Sequence, residues 1–175
     1  MAAPDAADAG DSLTFVADSR QAVESRLGDI DLDAMQLVLM LYRVTNAIVY
    51  DIESSVHRPA GWSWSAFRLC FTLWVDGPLP LHAAARRTEM SKPAVLALAR
   101  TLEKDGFISR EGEKPRSRTL ALTAAGTSQV ETVLRQHNAR EQKWASGLTR
   151  DELALGAGLL RKLVETGREP WVSTR

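Results

Sequence analysis

One cysteine among 175 residues leaves no partner for an internal disulfide, which fits a reducing compartment such as the cytoplasm. No unbroken apolar run approaches 18 residues, so no membrane partner is expected. The N-terminus, MAAPDAADAGDS, has no basic segment and no apolar stretch, and so does not read as a signal peptide. The three histidines, His57, His82 and His137, lie 25 and 55 residues apart. That is not metal-ligand spacing, and neither a metal nor a cofactor is expected. There is no glycine-rich phosphate loop and no paired-carboxylate motif. Cys70 has no orienting neighbours and reads as a small buried hydrophobe rather than a nucleophile. No catalytic residue is assigned, and the chain does not read as an enzyme.

Net charge is also absent, at zero, but the balance conceals an asymmetry. Residues 81–120 hold nine Lys/Arg against five Asp/Glu, whereas residues 1–35 hold two basic and eight acidic residues. A basic module in a neutral chain points to a local polyanion site. Residues 1–12 offer nothing to bury and read as a disordered acidic tail.

The chain is organised around residues 88–122. Ser91-Lys92-Pro93 opens a helix, since proline is tolerated in a first turn. Val95, Leu98 and Leu102 form its apolar face, and Asp105-Gly106 ends it. Phe107 and Ile108 begin a strand, residues 112–118 form a basic loop, and Leu120 and Leu122 lie on a return strand. Upstream, Gly77-Pro78 breaks the chain before a short helix over Leu81, Ala84 and Ala85. Two helices at this spacing make a helix-turn-helix, and the hairpin adds a wing.

These segments, DGPLPLHAAARR, MSKPAVLALARTLEKDGFISR and RSRTLALTAAG, resemble the MarR family of bacterial transcription regulators. The resemblance covers roughly residues 32–166. It implies a mainly α fold with a small β-hairpin wing, a winged helix-turn-helix joined to a helical dimerisation lobe. It also implies a homodimer on double-stranded DNA with a pseudo-palindromic operator, acting as a repressor. The DNA-facing positions would be Arg86, Arg87, Ser91, Lys92, Pro93, Ala94, Ala97 and Arg100, with Lys114, Arg116 and Arg118 on the wing. Arg116 matches the family's minor-groove arginine. Lys114 stands where the family commonly has an orienting aspartate, and Leu96-Ala97 are apolar where polar residues are common. Recognition is therefore expected to lean on phosphates and groove width more than on base edges. The competing reading is a winged helix that docks a protein and binds no specific DNA.

The remaining segments flank the module. Residues 13–62 are N-terminal helices of the dimerisation lobe, with Asp31 or Asp33 capping a long helix that is apolar nearly all round between Met35 and Tyr42. A second subunit is the simplest cover for such a helix. Residues 63–123 form the DNA module, capped by Ser63, with an aromatic stripe at Trp64, Phe67, Phe71 and Trp74. Residues 124–166 are C-terminal helices of the lobe, with Thr149 and Glu152 as a capping box, and residues 167–175 are a loose tail. Trp62 and Trp64 are candidates to line a cavity for a small aromatic or lipophilic effector. His57 and Arg58 would pair with an effector carboxylate.

Overall fold

The computed structural model describes residues 6–111 and 119–172. The elements are α1 (Ala6–Arg26), α2 (Leu32–Ile52), a π-helical turn (Glu53–His57), α3 (Trp64–Asp76), β1 (Leu79–Pro80), α4 (Leu81–Arg87), α5 (Lys92–Lys104), β2 (Ile108–Glu111), β3 (Thr119–Leu122), α6 (Ala124–Trp144) and α7 (Arg150–Thr166). The fold is mainly helical with one small antiparallel sheet, as expected. The chain divides into two compact units, one ending at Asp51 and one beginning at Ile52.

In the first unit, α1 begins at Ala6, inside the stretch expected to be a disordered tail and ahead of the expected start at residue 13. Alanines contribute little core but are the best helix formers. Phe15 carries the Arg43 guanidinium over its ring at 4.7 Å, and Arg20 donates to Asp33 at 2.8 Å. Asp31 is the cap of α2: its Oδ1 accepts from the backbone N–H of Asp33 and Ala34. Leu37, Val38, Met40, Tyr42, Val44 and Tyr50 of α2 are exposed. The helical segment Leu32–His57 contains an 18-residue window with a mean hydropathy of 1.3, long and apolar enough to cross a membrane by length and composition alone, a test that the core helix of a soluble protein also passes. Asp33, Gln36, Arg43, Thr45, Asn46 and Asp51 interrupt it, so it contains no long unbroken apolar run.

In the second unit, α3 is the central helix, with Leu69 and Cys70 fully buried. Ser63 caps it by accepting from Ala66 N–H, and Gly77 ends it at φ +77°. Strand order is β1-β3-β2. Ile108 pairs with Leu122 and Arg110 with Leu120 in the wing, while Leu79 pairs with Leu120 on the other edge. The third strand, β1, adds to the expected hairpin. It ends in a proline, which an edge strand tolerates. Gly126, in the first turn of α6, lies against the start of the wing. A Cβ there would sit 1.9 Å from the Phe107 carbonyl oxygen and 2.8 Å from its carbon. The Thr149–Glu152 capping box is present on α7. That helix buries none of its residues, and Leu153, Leu155, Leu159, Leu160 and Leu163 are exposed.

Candidate nucleic-acid interface

The helix-turn-helix is built by α4 and α5. Thr88 closes α4, donating its hydroxyl to the Ala84 carbonyl at 2.7 Å, and also receives Arg68 of α3 on its own carbonyl. Glu89, at φ +53°, turns the chain. Ser91 then caps α5 by accepting from Ala94 N–H at 3.3 Å. Val95, Ala99 and Leu102 are the buried face of α5. Leu98, expected on that face, is half-buried instead. Ala99 takes its place because a small side chain lets α5 approach the core closely. The opposite face leaves Ser91, Lys92, Pro93, Ala94, Ala97, Arg100, Thr101 and Lys104 exposed, with Leu96 half-buried. This is the surface a groove-reading helix needs: a cationic start, a cation mid-way at Arg100, and small apolar residues between.

The two basic residues ending α4 differ. Both Arg86 and Arg87 are exposed, but Arg87 grips Asp76 of α3 with two hydrogen bonds, Nε at 2.5 Å and an Nη at 2.6 Å. Those bonds hold the Asp76 carboxyl below the usual carboxylate range. Arg87 therefore meets a phosphate only by sharing or leaving this carboxylate. A second ion pair joins α5 to the wing: Arg110 on β2 donates from Nε to Glu103 at 2.6 Å. Lys114, Arg116 and Arg118 lie outside the described residues.

Of the four residues expected to line an effector cavity, His57 and Trp64 lie in ring contact, whereas Trp62 and Arg58 have other partners. Trp62 is buried and stands edge-on to Phe107, centroids 5.5 Å apart. Arg58 points outward and pairs with Glu53 at 3.4 Å. His57 is fully buried. It stacks on Phe67 at 4.5 Å and lies 5.3 Å from Trp64. Its Nε2 is 3.1 Å from Nδ1 of His137 on α6. Burial, then the His137 charge, pushes the His57 pKa down to about 4. Burial also lowers His137, against the pull of Glu141, whose carboxylate lies 3.2 Å from His137 Nε2. Sequence spacing did not single out His137, because its contact spans 80 positions. Cys70 is sealed in α3, and burial raises its thiol to about 12.

The MarR family model matches residues 62–114, the stretch from Trp62 through α3, α4, α5 and β2. Over these residues the chain is similar to the MarR family, and they fold as the winged helix-turn-helix described above. Among relatives of the MarR segment and its flanks is YwaE of Bacillus subtilis (strain 168), described as an uncharacterized HTH-type transcriptional regulator. It is 29% identical over 139 residues, covering 78% of this chain and 81% of YwaE. The fold matches a MarR family transcriptional regulator from Silicibacter pomeroyi at TM-score 0.66 and 18% identity, over 78% of this chain and 92% of that one. It also matches NadR in complex with 4-hydroxyphenylacetate at TM-score 0.65 and 23% identity, over 74% and 96%. The MarR match thus includes the cationic face of α5 and the strand that leads into the basic loop.

Proposed function

We propose that the chain is a cytoplasmic regulator that binds double-stranded DNA as a homodimer and represses nearby transcription. One observation carries this reading: α5 turns its buried face inward and leaves Lys92, Arg100 and a strip of small residues outward, within a MarR segment. In use, α5 lies in the major groove while Arg116 reaches the minor groove, and phosphate contacts set the register. Two-fold symmetry then requires half-sites about one helical turn, roughly 10 bp, apart.

Dimerisation is supported by the apolar residues left exposed on α2 and, separately, on α7. Large exposed apolar faces on a soluble chain mark interaction surfaces. A small aromatic effector, held beside His57 and Trp64, would release DNA by favouring one spacing of the two wings over another. NadR, solved with 4-hydroxyphenylacetate, supports an effector of that general size.

The test is binding to the DNA upstream of the chain's own gene at two salt concentrations, for wild type and Arg116→Ala. Each neutralised phosphate adds about 0.9 to the salt slope on duplex DNA, and a homodimer carries two copies of Arg116, so Arg116→Ala should flatten the slope by about two. Tight binding that ignores salt and the mutation would refute the wing's role. Absence of any specific site in a genome-wide selection would favour the protein-docking reading.

A further inference from the structure

A cleft of about 310 Å³ opens between α3 and the end of α4, a volume at the lower end for small-molecule sites. Arg68, Phe71, Thr72, Val75 and Asp76 line it from α3, and Arg87 closes the other side. Two N–H groups of Arg87 point at Asp76, and one of Arg68 goes to the Thr88 carbonyl. A guanidinium has five such donors, so these bonds leave both arginines with more to give. Two cations face one carboxylate, and the cleft carries one uncompensated positive charge. Thr72 adds a hydroxyl. Phe71 stands between Phe67 and Trp74 in a row of nearly parallel rings, at 5.6 and 6.2 Å. A ring in such a row has its faces taken and offers a ligand its edge, the positive part of its quadrupole. Val75, exposed at the surface, supplies an apolar wall. An anion suits each of these groups except Asp76, and a flat aromatic ring finds no free face on Phe71 to stack on.

We infer that this cleft binds a small aliphatic monocarboxylate, with its oxygens on Arg68 and Arg87 and its chain along Val75, and that the ligand competes with a DNA phosphate for Arg87. One negative charge on the ligand matches the unbalanced charge of the cleft, and a dianion would meet Asp76 in excess. Guanidinium and carboxylate pair through two parallel hydrogen bonds. Asp76 already makes that pair with Arg87, so it is the ligand's built-in rival. The Arg87 side chain is 60% exposed and that of Asp76 20%, so the guanidinium has room to swing while the carboxylate stays. The competition with DNA rests on the DNA reading above, and the anion site does not.

Sodium hexanoate is the probe, with hexanamide as the control for its charge and acetate for its chain. Binding to the full-length protein is read from the methyl NMR signals of Thr72 and Val75. Hexanoate should move both signals and bind roughly tenfold tighter than either control. Asp76→Asn weakens the rival pair and should tighten hexanoate roughly threefold. That pair lies at the surface, so the change spares the fold. Thr72→Val keeps the shape, removes a donor, and should weaken hexanoate by about tenfold. Signals that move elsewhere and not at these methyls, or hexanamide bound as tightly as hexanoate, would overturn the site. Acetate bound as tightly would overturn the role of Val75, and an unchanged affinity in Asp76→Asn would overturn that of Arg87. In the DNA assay, hexanoate should weaken binding more than chloride at equal concentration, and equal weakening would overturn the competition. A protein without any DNA site whose Thr72 and Val75 signals still respond to hexanoate would sink the regulator reading and leave the anion site standing.

Discussion

Mild acid should destabilise this protein through His57. The side chain is fully buried, and burial with the His137 charge takes its pKa from 6.5 to about 4. The unfolded chain therefore binds more protons than the folded one between those values. The stability held in neutral His57 is complete above about pH 6.5 and is lost as pH falls towards 4. At about 1.4 kcal/mol per pKa unit the full loss is about 3 kcal/mol, of which about 2 kcal/mol is gone by pH 5. Domains have roughly 5–15 kcal/mol in all, so the effect is large enough to read. The lowered His137 acts in the same direction. Urea midpoints at pH 7.5, 6 and 5, at one fixed protein concentration, measure it. Wild type should lose about 2 kcal/mol between pH 7.5 and 5, and His57→Gln should lose less than half of that. A flat wild-type profile, or an equally steep one in His57→Gln, would refute the reasoning.

Gly126→Ala puts a methyl group 1.9 Å from the Phe107 carbonyl oxygen. Backbone must move, so a cost above about 2 kcal/mol is expected, read as a drop of the thermal midpoint. A midpoint unchanged within error would mean the α6–wing contact is looser than described. Cys70, with its thiol raised to about 12 and no exposed surface, should resist a thiol-reactive dye in the folded protein and react at once in urea. Rapid labelling of native protein would show that α3 opens.

Local signals were readable from the sequence, and long-range ones were not. Ser63, Ser91, Asp31 and the Thr149–Glu152 pair cap their helices because each acts within three residues of itself. The aromatic stripe of α3 was legible from its 3.6-residue period, and Phe67, Phe71 and Trp74 do stack in a row. The strand Leu79–Pro80 was not legible, since two residues have no period and proline argues against a strand. The inward face of α5 was placed one residue off at Leu98, because only packing reveals that Ala99 is the close-contact residue. Segment 53–57 carries no composition that distinguishes a π turn from an α turn. His57 was chosen for a loop beside Arg58, and its true partner on α6 came from tertiary structure alone. The wing cations Lys114, Arg116 and Arg118 rest on the sequence alone.

The π turn also acts as a phase shifter. Its wide bond, from Arg58 N–H to the Glu53 carbonyl, accommodates one more residue than an α turn would. Each residue of an α-helix advances the face by about 100°. The added residue therefore changes which side chain of the turn faces inward: His57 is buried while Arg58 is exposed. Deleting the exposed Ser55 would remove no buried side chain, yet it would aim the wrong residue at His137. Length, more than composition, is what this segment must preserve.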